Sequence, residues 1–290
     1  MKHRFHLAKE IRERLESFGT VKEEKKEPVP VVVTEEKTEP QPETEPAEEV
    51  KEQAPFEVAF RTDIGKVRQT NQDALIVGDK LYGVADGMGG HKGGEVASAG
   101  LRDSLLSQLK DKEPDALALR NAILAANRRL FLRAQENEDL RGMGTTLDVL
   151  WVGAKEVYIG HVGDSRIYRL RDGELKQMTE DHSMVMEMVR AGMISEEQAA
   201  VHPMRNIITR AVGTENGVDI DLLTEDRKAG DLWLICSDGL HGLVKKDVMQ
   251  DLMTRYAPEQ AADELLAAAL RAGGHDNISL VLLKDREGAQ

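Results

Sequence analysis

Apolar strands that run into an aspartate constrain this chain more than any other feature. Leu81 to Ala85 is a short apolar run suited to a buried strand, and it gives way to Asp86-Gly87-Met88-Gly89-Gly90. Glycine lets the backbone turn with positive φ and come close to a ligand. The pattern returns in Trp233-Leu234-Ile235-Cys236-Ser237-Asp238-Gly239. His161-Val162-Gly163-Asp164-Ser165 supplies a third strand-end aspartate, and Gly274-His275-Asp276-Asn277 places a fourth just ahead of an apolar strand. One Asp-Gly is ordinary turn chemistry. Several, far apart in sequence, converge if their strands pack side by side or face to face. Carboxylates packed together repel unless a cation neutralises them. Donor sets made only of oxygen select hard ions such as Mg²⁺ or Mn²⁺.

Charge and cysteine usage narrow the classes. The chain has 290 residues and a formal net charge of -13. That balance argues against nucleic acid as the main partner, since phosphate-backbone binders carry basic patches. The single cysteine, Cys236, excludes an intrachain disulfide and a thiolate metal site, and its apolar strand makes it core packing. No stretch is long and apolar enough for a transmembrane segment, and the N-terminus lacks the apolar region of a signal peptide. A cytoplasmic, monomeric protein is the expectation.

Two regions follow from composition. Residues 1-55 form an N-terminal tail. In its first part Phe5, Ala8, Ile11, Leu15 and Phe18 recur three to four residues apart, which fits either a short docking helix or a solvated, partly helical terminus. Its second part, from about Thr20, is rich in Glu, Pro, Thr, Val and Lys, with Pro28, Pro30, Pro40, Pro42, Pro46 and Pro55, and reads as a disordered linker. The folded domain is expected over 56-286.

Within that domain the period alternates between strand and helix. Phe56 to Arg61, Ala74 to Val77 and the run ending at Asp86 read as strands, with Gly78-Asp79-Lys80 as a hairpin turn. Gly94 to Leu109 and Pro114 to Gln135 read as core-covering helices, the second starting with proline in its first turn. Gly144 to Val152, Val157 to Val162 and Arg166 to Leu170 are strands, the last turning at Arg171-Asp172-Gly173. Asp181 to Ala191 reads as a helix capped by Asp181 or Ser183. Gly192 to Val201 is either a mobile flap or a plain surface helix-turn. Ile207 to Val212, Asp219 to Leu223, Asp231 to Ser237 and Ile278 to Leu283 are further strands, and Pro258 to Ala272 a helix. Consecutive strands joined by short turns imply antiparallel sheet. No P-loop and no dinucleotide fingerprint follows any strand, which counts against kinases and dehydrogenases.

Two divalent ions a few ångströms apart can share a bridging water, lower its pKa and shield the oxygens of a phosphate ester cleaved in line. That chemistry also needs a cationic clamp. Arg68 is the candidate, because a guanidinium fork matches phosphate; a surface salt bridge is the other reading of the same residue.

An ordered set of motifs then carries a family resemblance. It comprises Thr62-Asp63-Ile64-Gly65 with Arg68 and Asn71-Gln72-Asp73, then Val84 to Gly90, Met143-Gly144-Thr145-Thr146, and Val162-Gly163-Asp164-Ser165-Arg166. Thr179-Glu180-Asp181-His182-Ser183, His202-Pro203 with Arg205-Asn206 and Thr209-Arg210, Ser237-Asp238-Gly239 and Gly274-His275-Asp276-Asn277 complete it. From about Phe56 to Lys284 the chain resembles the metal-dependent protein serine/threonine phosphatases of the PPM type (protein phosphatase 2C-like), in their compact bacterial form.

The resemblance implies an α+β fold, a four-layer α-β-β-α sandwich of two antiparallel sheets flanked by helices. It implies an enzyme that hydrolyses phosphoserine and phosphothreonine in proteins with a hydroxide bridging two Mn²⁺ or Mg²⁺ ions. Asp86 would bridge the ions, Gly87 would offer its backbone carbonyl to one, and Asp238 and Asp276 would complete the other site. Asp73 would act mainly through metal-bound water, and Asp164, with Asp238, would hold a third, weaker ion. Arg68 would bind the substrate phosphate, making Arg68, Asp86 and Asp238 the catalytic set. Phosphoprotein substrates and a cognate serine/threonine kinase would be its partners. Gly192 to His202 matches the family's flap. Animal relatives often carry a histidine where Met88 stands, so a metal-bound water is the expected acid for the leaving group, with His91 a turn residue. Gln72 stands where some relatives have glutamate. His161, His182 and His202 take structural roles.

Overall fold

The computed structural model of the protein describes residues 55–89 and 93–288. The expectations for the amphipathic segment, for the Glu/Pro-rich linker and for His91 lie outside these residues. One sheet runs in the order β1 (Phe56–Asp63), β11 (Ile278–Asp285), β10 (Leu232–Cys236), β7 (Arg166–Arg171), β8 (Glu174–Gln177). The other runs β2 (Asp73–Val77), β3 (Leu81–Met88), β5 (Leu147–Val152), β6 (Glu156–Val162), β9 (Asp221–Asp226), with β4 (Gly144–Thr145) paired to the end of β3. Every pairing is antiparallel.

Period-2 alternation sorts side chains into three apolar layers. On β5, Leu147, Val149 and Trp151 pack with Leu101 and Leu105 of α1 (Gly93–Leu109) and Leu119 and Ile123 of α2 (Ala116–Glu136). Leu150 and Val152, one residue out of phase, join Val84, Ile159, Ile167, Trp233, Ile235 and Val281 between the sheets. On the far side Leu234, Leu280 and Leu282 pack with Met249 and Met253 of α6 (Lys246–Arg255) and Leu265 of α7 (Pro258–Arg271). The result is the expected α-β-β-α sandwich. Three short helices, α3 (Met184–Arg190), α4 (Glu196–Ala200) and α5 (Asp238–His241), and a 3₁₀ turn over Glu138–Leu140 complete the described elements.

Several expectations are corrected. β3 does not stop at Asp86; it continues to Met88 because Gly87 and Met88 pair with Thr145 and Gly144 of β4. Pro114 lies outside α2, whose N-cap is Asp115, accepting from the Ala118 N–H at 2.8 Å. Ser183 caps α3, since Asp181 is committed to a bidentate pair with Arg166. Residues 207–212 form no strand; they touch the sheets only at isolated bridges, Ser183 to Ile208 and Thr145 to Val212. The strand expected over Asp219 to Leu223 is displaced to Asp221–Asp226. β8, α5 and α6 were not expected. β8 is the return arm of a hairpin whose two turn residues, Asp172 and Gly173, take φ 53° and 82°. Gly192 to Val201 contains α4, closed by a capping box at Ser195.

Candidate active site

The sheets bring the predicted aspartates to one end of the layer between them. In the β2–β3 ladder Asp73 lies directly opposite Asp86, and like charges so placed destabilise a sheet. Thr145 and Thr146 pin Asp86 by its main chain. Its carbonyl accepts from Thr145 Oγ1 (2.9 Å) and the Thr146 N–H (2.8 Å), and its N–H donates to Thr146 Oγ1 (3.0 Å). Asp238 enters from the other sheet as the first residue of α5, just past β10. Its carboxyl lies within hydrogen-bonding reach of Asp86. Asp276 precedes β11 and Asp164 follows β6.

Electrostatics show how tightly the group is drawn together. Burial, then the charges of Asp73, Asp238, Asp164 and Asp276, push Asp86 well above the usual carboxylate range. Burial raises Asp73 and Asp238 to about 6, with Asp276 adding to both. Burial and then Asp238 raise Asp164 to about 7. Arg68 stands at the rim. Its guanidinium donates to Asp276 Oδ2 at 2.6 Å and feels Asp86 and Asp238. The salt-bridge reading of Arg68 is met, in a half-exposed pair with Asp276 that borders the carboxylates.

Polar groups that the motifs contain, but to which the sequence assigned no role, hold this arrangement. Ser237 Oγ donates to Asp73 Oδ2 (2.9 Å) and accepts from the Ser279 N–H (3.0 Å). The buried Asn277 side chain accepts from the Gln72 N–H (2.8 Å) and donates to the Ile64 and Thr70 carbonyls (3.0 Å each). That one amide ties the loops before β2 to the start of β11. A polar residue directly beside an apolar strand was the available signal. Glycines let the backbone close in. A Cβ on Gly87 would collide with the Gly94 and Gln72 carbonyl oxygens, and one on Gly239 with the Asn277 carbonyl. Gly87→Ala should therefore cost about 1–3 kcal/mol of stability. Thermal unfolding of metal-free protein checks this.

The donors fit a hard cation. Asp73 Oδ1 and Asp238 Oδ1 are buried without a hydrogen-bond partner, and buried lone pairs are rarely left idle. The neighbouring donors are carboxylates and carbonyls, as Mg²⁺ and Mn²⁺ prefer. As they stand, no three His, Cys, Asp or Glu side chains among the described residues close around a single point. Asp276 is turned to Arg68 instead, and such ions commonly complete their shell with water and backbone oxygen.

Two antiparallel sheets inside helices, with an oxygen-only carboxylate centre at one end, make a fold and site of a kind suited to hard divalent cations. Comparison with known proteins narrows it. The family model described as Protein phosphatase 2C matches residues 65–272. The chain is 40% identical over 239 residues to serine/threonine phosphatase stp of Listeria welshimeri, covering 78% of this chain and 94% of that one. It is 41% identical over 227 residues to serine/threonine protein phosphatase PstP of Mycobacterium tuberculosis, covering 77% of this chain and 44% of PstP, so the match spans under half of that relative. The crystal structure of the M. tuberculosis phosphatase PstP/Ppp superposes with a TM-score of 0.77 at 37% identity, over 80% of this chain and 99% of that one. The catalytic domain of PstP in complex with two manganese ions superposes at 0.73 and 36% identity, over 81% and 99%. This chain belongs to the protein phosphatase 2C family.

Proposed function

We propose that the protein hydrolyses phosphoserine and phosphothreonine in phosphoprotein substrates, using two Mn²⁺ or Mg²⁺ ions and a third, weaker one. The observation that carries this is the convergence of Asp73, Asp86, Asp238, Asp276 and Asp164 beside Arg68, with buried carboxylate oxygens left without partners. Asp86 would hold both core ions, with the Gly87 carbonyl on one and Asp238 and Asp276 on the other. Asp73 would work through ordered water, and Asp164 with Asp238 would take the weaker ion. When bound, such ions lower the pKa of a shared water and neutralise phosphoryl oxygens.

The chain's own side chains do the rest. Arg68 presents N–H donors at the rim and can take a phosphoryl group in bidentate fashion. Ser237 and Asn277 keep the carboxylates in place before substrate arrives, which is where preorganised sites gain rate. Gly192 to His202 borders substrate access as a flap. Among the described residues no helix is long and apolar enough to cross a membrane. A serine/threonine kinase of the same compartment, taken as the cytoplasm, would be the counterpart, with the phosphatase acting as a monomer.

Hydrolysis of an aryl phosphate and of a phosphothreonine peptide, with Mn²⁺, Mg²⁺ or excess EDTA, tests the reading. Activity should require an added ion and vanish in EDTA. A folded protein inactive on both substrates with every ion would favour a binding module built on the same fold. Arg68→Ala should raise the KM for the ester roughly ten- to hundredfold, the loss of a charge-assisted bond worth about 1.5–3 kcal/mol. It should weaken inhibition by inorganic phosphate in step, which inhibition kinetics would show.

A further inference from the structure

Beside the carboxylate centre lies a second buried polar assembly that the proposed chemistry does not use. Asp148 on β5 and His161 on β6 are cross-strand partners, both fully buried between the sheets. His161 Nδ1 lies 3.0 Å from Asp148 Oδ1, and its Nε2 donates to the Glu180 carbonyl at 2.9 Å. The His182 ring, also buried, sits against His161 with centroids 4.5 Å apart.

His182 is bonded in two directions. Toward the centre, its Nδ1 accepts from the Gly163 N–H (3.1 Å) while its own N–H donates to the Gly163 carbonyl (2.7 Å). An accepting Nδ1 leaves the proton on Nε2, which faces Asp221 Oδ2 at 3.2 Å and also lies 3.1 Å from Nη1 of Arg210, itself paired with Asp221. Toward the flap, the His182 carbonyl accepts from the Thr209 N–H (2.8 Å), and the Met184 N–H donates to the Ile207 carbonyl (2.8 Å). Both ends of the flap-bearing segment are thus stitched together at His182 to Met184.

Gly163 is the point where this assembly meets the centre. Its φ is +114°, and a Cβ there would press on Thr146 at 2.7 Å. The turn that presents Asp164 is therefore held by Thr146 on one side and by His182 on the other. Thr146 is the residue that fixes the main chain of Asp86.

We propose that His182, braced by the Asp148–His161 pair, is a positioning residue that locks the Gly163–Asp164 turn and joins it to the base of the flap. Its effect on metal rests on the reading of Asp164 as an ion ligand. Asparagine at 182 can set its Oδ1 where Nδ1 was and keep the Gly163 bond. Glutamine reaches instead toward the Nε2 position and keeps only the contacts made there, to Asp221 and Arg210. The two variants therefore separate the lock from bulk and burial.

The test is amide hydrogen exchange at Gly163 by NMR in metal-free protein, with Mn²⁺ titration calorimetry on the same variants. His182→Gln should speed Gly163 exchange at least about tenfold. It should also weaken the weakest Mn²⁺ step roughly ten- to hundredfold, the usual cost of losing a partner that orients a ligand. His182→Asn should stay within about threefold of wild type on both. Equal damage from the two variants, or unchanged Gly163 exchange in His182→Gln, overturns the proposal. In wild-type protein a ¹⁵N–¹⁵N coupling across the Gly163 N–H···Nδ1 bond is expected, and its absence overturns the proposal even if His182→Gln fails to fold. Asp164→Asn separates the two claims. If it leaves every Mn²⁺ step unchanged, the ligand reading fails while the Gly163 result still decides the lock.

Discussion

Asp86→Asn should lower hydrolysis of a phosphothreonine peptide at least about a hundredfold, and should make the metal-free protein more stable. The loss follows from position. Asp86 feels Asp73, Asp238, Asp164 and Asp276 together, so on the proposed reading, in which it would hold both ions, no other side chain could take its place. Losing even a group that orients a metal ligand costs ten- to hundredfold, and a bridging ligand should cost at least the upper figure. The gain in stability has the same origin. Asp86 holds its proton far more tightly in the folded protein than in the unfolded chain. The stability such a group contributes is present below the unfolded carboxylate pKa and is lost as pH rises through the folded value. At neutral pH the carboxylate is therefore a burden, which an amide of the same shape removes. Scanning calorimetry in EDTA should show a higher midpoint for the variant, and with Mn²⁺ the order should reverse. A lower midpoint in EDTA would mean that mutual repulsion does not dominate this centre.

Asp86, Asp164 and Asp238 were legible because each closes an apolar run, and Asp276 because it stands just ahead of one, whereas Asp73 came only with the family resemblance. Their roles came from the ordered motifs, and their convergence is a product of topology. Asp73 and Asp238 meet only because β2 and β10 belong to facing sheets. Asn277 and Ser237 were not legible as organisers, since each works through bonds to groups far away in sequence, such as the Gln72 N–H and Asp73 Oδ2. Ile207 to Val212 misled for the converse reason. Its β-branched residues favour extended backbone, yet a strand needs a continuous partner, and only single bridges reach it. α6 escaped notice because its apolar positions, Val248, Met249, Leu252 and Met253, are few and sit among charges.

The Asp148–His161 pair shows most directly how register turns an unremarkable sequence into a strong constraint. An aspartate inside Leu147–Val152 and a histidine near the end of Glu156–Val162 say little apart; the β5–β6 pairing sets them face to face. Both His161 ring nitrogens meet acceptors, so the pair binds one proton more than a neutral imidazole carries. Burial alone would lower His161, but the Asp148 charge and bond, with the Glu180 carbonyl, outweigh it and raise the group to about 9. Asp148→Asn removes that charge and sets an amide nitrogen where Oδ2 now has no partner. Breaking a buried pair from one side costs about 3–5 kcal/mol, and that loss should appear in urea unfolding near pH 6. The pH dependence carries the sign. Because the folded value lies above the unfolded one of about 6.5, the pair's stabilisation is complete below pH 6.5 and fades as pH rises through about 9. The gap between wild type and variant should narrow over that window. The clustered carboxylates around Asp86 titrate equally in both proteins and drop out of the difference, since the charges acting on Asp148 are those of His161, Asp181 and Arg166. A gap below 1 kcal/mol at pH 6, or one that stays constant to pH 9.5, would show that His161 is buried neutral and that the proton resides elsewhere.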